Sequence, residues 1–448
     1  MTVSAIRPRE RDAILQSLRA GVVPRSGLQH IQVGRVSEVA ALIAELDRVA
    51  DSGSTIKFVI GEYGSGKTFF LSLVRAIALE KKLVTLHADM TPDCRLHATG
   101  GQARALYREL VRNLATRAKP EGGALASVVE RFVAFAIEEG RQKSIAPDVV
   151  IRERLASLAE MVNGYDFASV IAAYWKGHDS GNEVLQSDAV RWLRGEFATR
   201  TDARAALGVR TIVDDANVYD QLKLLARFVK LAGFSGLLVC CDELVNLYKL
   251  ANTRARSANY EQILRILNDC LQGSAAGFGM LLGGTPEFML DPRKGLYSYP
   301  ALQSRLAENT FLQAGMVDYS GPVLRLANLS PEDMFVLLGK LRDVYAAGQP
   351  DRLLIPDEGL KAFMTHCSQR IGDAYFRTPR NTVTAFVNLL AVLEQNPATS
   401  WQELIGQVQV ASSTNPDLEP LPGENGEGEE PAAESATPDD DDLSSFKL

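Results

Sequence analysis

Residues 61–70 combine glycines, a lysine and a threonine at a spacing that can hold phosphate. The stretch reads GEYGSGKTFF, so Gly61, Gly66, Lys67 and Thr68 satisfy the pattern G-x-x-x-x-G-K-[ST] in full. Glycine takes backbone conformations closed to other residues, which lets successive N–H groups turn inward around a polyphosphate. The lysine reaches the β- and γ-phosphates, and the threonine hydroxyl completes the coordination of Mg²⁺. The predicted nucleotide contacts are Gly61, Glu62, Tyr63, Gly64, Ser65, Gly66, Lys67, Thr68 and Phe69, with Thr68 also a metal ligand.

The neighbouring sequence supplies the elements that such a loop requires. Residues 56–60 (IKFVI) have the pattern of a short buried strand, and residues 69–79 that of a helix with one apolar face. The helix adds its unpaired N-terminal N–H groups and the positive end of its dipole. The alternative, a glycine turn that only happens to precede a helix, is disfavoured because the complete pattern stands between a strand and a helix.

A second strand ends in two adjacent carboxylates. Residues 236–244 read GLLVCCDEL, which places Asp242 and Glu243 at the end of an apolar run. Ligands of parallel α/β sheets lie at the carboxyl ends of the strands. Asp242 is the predicted second metal ligand, and Glu243 the residue that polarises the attacking water. A strand can also simply stop at charged residues, but the complete phosphate loop upstream favours the functional interpretation.

Three polar residues follow the acidic pair at intervals. Thr285 ends the apolar run of FGMLLGGTPEF, Arg305 lies about twenty residues later in YPALQSRLAEN, and Arg380 lies in FRTPRNTVTAF. For each arginine the ordinary alternative is a solvated helix face. The proline at position 379 has its own alternative explanation, since proline is favoured at the start of a helix. The order of these residues after the acidic pair favours a functional role.

This series of motifs resembles a known family. GEYGSGKT, CCDEL, GGT, SRL and TPRN, with IQVGRVSE upstream, resemble AAA+ type P-loop ATPases, most closely the origin-recognition and helicase-loader branch. LRAGVVPRSGLQHIQVGR and GFSGLLVCCDEL resemble the ATP-binding proteins of BREX bacteriophage-defence systems. The resemblance covers residues 18–393, except for residues 120–215, in which no motif of these families is recognised.

The resemblance implies roles for individual residues. Thr285 corresponds to the sensor that reports the γ-phosphate, and Arg380 to the lid arginine that contacts nucleotide. Arg35 corresponds to part of the adenine-side entrance. Arg305 corresponds to a finger that reaches the nucleotide of a neighbouring subunit, and Arg293, in DPRKG, competes with it for that role.

The predicted fold class is α/β: a P-loop NTPase core with a parallel sheet, a helical insertion and a C-terminal helical lid. We expect an N-terminal helical segment over residues 1–50, the ATPase core over 51–325, its helical insertion at about 120–215 and the lid over 326–411. The insertion is either a module for a partner or DNA, or a larger helical layer, and the sequence favours neither. Residues 412–448 form a predicted disordered acidic tail.

Composition supports a soluble globular body with a distinct tail. Of the 448 residues 46% are hydrophobic and 23% are charged, and no apolar run approaches the roughly 20 residues that span a bilayer. An odd number of cysteines without metal-ligand spacing fits a reducing cytoplasm, so we expect a cytoplasmic protein with no membrane partner. The cysteines are Cys94, Cys240, Cys241, Cys270 and Cys367.

The net negative charge of the chain comes from the tail. Residues 412–448 contain eleven Asp or Glu and one Lys, a balance of −10, which leaves +3 for the rest of a chain whose net charge is −7. Such a segment buries too little apolar area to offset its ordering entropy. Its end, DDDDLSSFKL, resembles the docking tip of bacterial single-stranded DNA-binding proteins, with Phe446 as the apolar anchor. Two alternatives to docking are a tail that only improves solubility and a tail that shields a DNA-binding face of the same molecule.

Three functions from different classes follow from these residues. The first is an ATPase that uses ATP and Mg²⁺ as a motor, loader or switch on DNA or a DNA-bound complex in phage defence. The second is a nucleotide-dependent assembly scaffold in which hydrolysis is incidental. The third, a small-molecule kinase, is disfavoured because no separate substrate-binding signature is present. The predicted partners are further copies of the chain, DNA, and a helicase or nuclease of a defence system.

Overall fold

Five parallel strands form one sheet at the centre of the protein. The computed structural model describes residues 6–313, 316–371 and 379–407. The strands lie in the order β2-β3-β4-β1-β5, and every pair is parallel. Their bounds are β1 Ser54–Ile60, β2 Val84–Asp89, β3 Leu237–Asp242, β4 Phe278–Gly284 and β5 Val323–Arg325. The predicted α/β class with a parallel sheet is therefore confirmed.

Helices cover both faces of the sheet and continue beyond it. Those up to the end of the core are α1 Pro8–Arg19, α2 Val36–Ala50, α3 Lys67–Glu80, α4 Gln102–Arg112, α5 Leu125–Lys143, α6 Pro147–Ala159, α7 Gly164–Ser180, α8 Glu183–Leu193, α9 Arg200–Leu207, α10 Val218–Leu231, α11 Val245–Tyr248, α12 Thr253–Leu271, α13 Pro286–Leu290 and α14 Pro300–Leu306. After β5 follow α15 Pro331–Tyr345, α16 Asp357–Ile371, α17 Pro379–Gln395 and α18 Trp401–Ile405.

Alternating residues of the strands pack into two separate cores. In β1, Phe58 points into a core shared with α4 through α12, while Val59 points into a second core shared with α2 and α3. All seven residues of β1 are buried, as are all of β3 and β4. Strands covered on both faces read as continuous apolar runs, which explains the sequences of β3 and β4.

The segment expected as a helical insertion consists of helices α5 to α9. Their apolar residues, among them Phe132, Phe167 and Trp192, belong to the same core as strands β2 to β4. Phe167 and Phe132 both pack against Phe228 of α10, with ring centroids 5.7 and 5.2 Å apart. These helices therefore extend the layer on one face of the sheet.

The C-terminal helices α15 to α18 form a third core together with α1. Ile14 and Leu15 of α1 are buried among residues of α15, α16 and α17. Arg11 donates two hydrogen bonds, of 3.0 and 2.7 Å, to the carbonyl oxygen of Tyr345 at the end of α15. The helix near the start of the sequence is thus packed on the lid. Within the described ranges, no helix has the length and apolarity needed to cross a bilayer.

The acidic tail, including Phe446, lies outside the described residues, so its predicted disorder and docking role stay predictions.

Candidate functional site

The loop after β1 has the backbone that close contact with phosphate requires. Gly64 and Gly66 have φ angles of +78° and +83°, in the left-handed region that favours glycine. Gly66 is also the N-terminal cap of α3, so the first N–H groups of this helix lie beside the loop. A Cβ on Gly61 would come within 2.5 Å of the Ser65 hydroxyl oxygen, which is buried and has no hydrogen-bond partner among the described residues.

Lys67 spans the loop from its C-terminal side. Its Nζ donates to the carbonyl oxygens of Gly61 at 2.9 Å and Glu62 at 3.0 Å. Glu62 in turn accepts a hydrogen bond from Asn328 at 3.0 Å. The ammonium group is therefore held across the loop, where it can exchange these carbonyl partners for phosphate oxygens.

The predicted metal ligands meet. The Thr68 hydroxyl donates to Oδ2 of Asp242 at 2.7 Å, which joins the first turn of α3 to the end of β3. Asp242 is buried, and its other oxygen accepts the backbone N–H of Glu243 at 2.9 Å. Mg²⁺ bound with phosphates needs only one or two protein carboxylates. In the described part of the chain, no group of three or more His, Cys, Asp or Glu is placed to hold a metal ion.

Close packing holds Asp242 in this position. A Cβ on Gly283, in the adjacent strand β4, would lie 2.2 Å from Oδ1 of Asp242 and 2.9 Å from Cδ1 of Leu71. Only glycine at position 283 leaves room for the carboxylate to lie against the strand.

Glu243 follows the strand in an uncommon backbone conformation. Its φ is +58°, and its side chain is exposed at the sheet edge. For a residue other than glycine such a conformation costs about 1–3 kcal/mol, and such residues cluster at functional sites. Glu243 thus has a backbone conformation typical of functional sites and directly follows the predicted metal ligand Asp242.

Thr285 lies between the phosphate loop and the acidic pair. It follows β4, the strand inserted between β1 and β3. The residue is buried, and its hydroxyl accepts the backbone N–H of Phe288 at 3.4 Å as the cap of α13. An accepting hydroxyl still has its own hydrogen to donate, which a sensor of phosphate requires.

Arg35 and Arg380 border one cavity beside the loop. It measures about 170 Å³ and is lined mainly by apolar side chains of residues 18–39, by the loop and by the start of α17. Arg380 donates to the carbonyl oxygen of Gly21, and Arg35 to that of Ser65. An apolar slot next to a phosphate loop suits a nucleobase.

The structure does not bring Arg305 or Arg293 to the loop. Arg305 is exposed and bonds to Oδ1 of Asn268 at 2.7 Å and to the carbonyl oxygen of Ala301 at 3.0 Å. Arg293 is exposed as well. Both arginines are therefore accessible to another molecule.

Asp89 lies beside the predicted site, and the sequence patterns did not single it out. It ends β2 and is paired in register with Asp242 of β3. Partial loss of hydration raises the pKa of Asp89, and the carboxylates of Asp242 and Glu109 raise it further, against the opposing effect of Arg75. The available signal was an acid at the end of the run LVTLHAD, the same arrangement as in CCDEL.

These residues fit a nucleoside triphosphate with Mg²⁺. The glycine turns and the buried Ser65 hydroxyl suit phosphate, Lys67 supplies positive charge, and Thr68 with Asp242 supplies oxygen ligands of the kind Mg²⁺ prefers.

Comparison with known proteins agrees with this geometry. No curated protein matches the chain. A family model described as BREX system ATP-binding protein BrxC/D matches residues 6–409, which include every element of the loop, the acidic pair and the lid. The chain therefore belongs to the BREX system ATP-binding protein family.

Proposed function

We propose that the protein hydrolyses ATP with Mg²⁺. The observation that carries this proposal is the 2.7 Å bond between Thr68 and Asp242, with Glu243 next in the chain. It unites a phosphate loop with a metal ligand and a carboxylate able to polarise water. Phosphate release from ATP by the purified protein, with and without Mg²⁺, tests it, and turnover that is independent of Mg²⁺ would contradict it.

The chain's own residues have distinct tasks in this reaction. Lys67 and the loop N–H groups hold the phosphates, while Thr68 and Asp242 hold the metal, which supplies charge neutralisation when bound. Glu243 orients the attacking water and accepts its proton. Thr285, between the two halves of the site, donates to the γ-phosphate, and Arg380 contacts the nucleotide from the lid.

In phage defence, the role supported by the family, we propose that hydrolysis drives an AAA+ type motor, loader or switch on DNA or a DNA-bound complex. The position of α17 at the nucleotide cavity supports it, because a lid that touches nucleotide can change position with the nucleotide state. A helicase or nuclease of the same system is the proposed protein partner. Stimulation of phosphate release by duplex DNA is the expected result.

Packing predicts the effect of a single methyl group at position 283. Gly283→Ala would push Asp242 away from Thr68, so we expect Mg²⁺-dependent turnover to fall roughly 10- to 100-fold, as for the loss of one charged hydrogen bond. Gly279→Ala is the matched control in the same strand, because its Cβ would meet side-chain methyl groups of Leu238 and Val49 at 3.1 Å. Equal turnover in the two variants would contradict the packing argument.

We also propose that Arg305 completes the site of a neighbouring copy in a homo-oligomer. Its exposed position on α14 supports this, since a residue that acts on a neighbour must be accessible. Arg305→Ala is expected to lower turnover by about 10³- to 10⁵-fold, the range of arginine fingers in GTPases, with ATP affinity nearly unchanged. Arg293→Ala, the competing arginine, is the comparison.

Mixing separates action on a neighbour from action within one chain. Arg305→Ala and Lys67→Ala subunits, each inactive alone, should regain part of the activity when combined. Mass photometry verifies that mixed oligomers form. No recovery in such oligomers would exclude the shared site.

A further inference from the structure

Arg35 connects three separate parts of the chain. It stands directly before α2 at φ +59°, after Gly34 at φ +62°. Its guanidinium donates to the carbonyl oxygen of Ser65 in the phosphate loop and, at 3.3 Å, to that of Ala327 between β5 and the lid. A residue other than glycine in the left-handed region is strained, which indicates that the placement of this side chain has a role.

The bond to Ser65 fixes the orientation of one peptide group in the loop. In a trans peptide the C=O and the following N–H point in opposite directions, and the described residues contain no cis peptide. Because the carbonyl of Ser65 is turned toward Arg35, the N–H of Gly66 is turned to the opposite side. Gly66 caps α3, so this N–H belongs to the set that surrounds a bound phosphate.

The Arg35 guanidinium is partly removed from water and lies over the ring of Phe70, 5.9 Å from its centroid. Burial lowers the pKa of Arg35, against the opposing effect of Glu38 and Asp333. Its Nε is buried without a hydrogen-bond partner among the residues described. A partly desolvated cation with an unpaired N–H is a poor means of stabilising a fold. The contact is better explained by what it does for the loop.

We propose that Arg35 is a positioning residue of the phosphate loop, which holds the Ser65–Gly66 peptide with its N–H toward the phosphates. This role differs from the adenine-side role that the family resemblance implies, because it acts on the polyphosphate and not on the base. It rests on the proposed function, since it presumes that the loop binds a nucleoside triphosphate. Through Ala327 the same guanidinium ties the loop to the segment that leads into the lid.

A ligand without a base distinguishes the two roles. MgATP and inorganic tripolyphosphate with Mg²⁺ would be titrated by calorimetry into wild type, Arg35→Ala and Arg35→Met. We expect both ligands to bind more weakly by the same factor, roughly 10- to 100-fold for one charged hydrogen bond. Arg35→Lys, which retains a donor, should restore part of the affinity for both. The proposal would be overturned if the Arg35 variants bound ATP more weakly than wild type but bound tripolyphosphate with the same affinity as wild type.

Control variants make each outcome interpretable. Arg19→Ala removes an exposed arginine that bonds to Asn388 on the lid at 3.3 Å, and should bind both ligands as wild type does. Arg35→Met keeps an apolar stem in the buried space, so it tests the proposal if Arg35→Ala does not fold in a thermal scan. If Lys67→Ala binds tripolyphosphate as tightly as wild type does, the proposed function itself is refuted. If that binding needs Lys67 but not Arg35, only the positioning role fails.

Discussion

Lys67→Ala is expected to abolish ATP binding. The ammonium group lies across the loop, bonded to the carbonyl oxygens of Gly61 and Glu62, and it is the loop's one lysine. A hydrogen bond to a charged group contributes about 1.5–3 kcal/mol, so loss of two phosphate contacts corresponds to roughly 10²- to 10⁴-fold weaker binding. Calorimetry with MgATP measures this directly.

Lys81→Ala is the matched control for this substitution. Lys81 directly follows the other end of α3 and pairs at the surface with Asp47 at 2.5 Å. Exposed pairs contribute little to stability, about 0–1 kcal/mol, so the control should fold and bind ATP as wild type does. Retention of ATP affinity by Lys67→Ala would show that residues 61–68 do not form the phosphate site.

Glu243→Gln is expected to preserve ATP binding and to stop turnover. The amide has nearly the shape of the carboxylate but cannot accept a proton from water, and loss of a general base typically costs about 10²- to 10⁴-fold in rate. Thr68, Asp242 and Lys67 are unchanged, so the ATP-bound state should accumulate. Single-turnover phosphate release, together with a binding titration, separates the two effects.

Glu261→Gln makes the same chemical change at an exposed position of α12 and should leave the rate unchanged. A Glu243→Gln protein as fast as wild type would remove Glu243 from the reaction. The same result would also favour the assembly-scaffold alternative, in which hydrolysis is incidental.

The features that the sequence predicted well are those whose chemistry is local. The loop pattern specifies its own turn, and the apolar runs that end in Asp242 and Thr285 specify buried strands with polar ends. Parallel pairing then brings these ends to one edge of the sheet.

The features that the sequence did not reveal depend on contacts between distant segments. Strand β5 has only three residues, and its pairing with β1 defines it. Asp89 is one acid among many until β2 is placed beside β3. A turn at Gly34 and Arg35 is expected before α2, but the contact of Arg35 with Ser65 joins segments 30 residues apart, and no sequence pattern indicates it. The apolar face of α1 predicts burial but does not identify the lid as its partner.

The third core, which joins α1 to helices α15 to α18, has a consequence for biosynthesis. Roughly 300 residues separate α1 from α15, and at a translation rate of about 5–20 residues per second this corresponds to a delay on the order of 15–60 s. During that time Ile14 and Leu15 have left the ribosome but lack the helices that bury them. The sheet and its phosphate loop are complete before the lid can assemble. The nascent chain therefore passes through a stage in which all residues of the sheet and the phosphate loop have been synthesised, while the apolar face of α1 still lacks the helices that bury it.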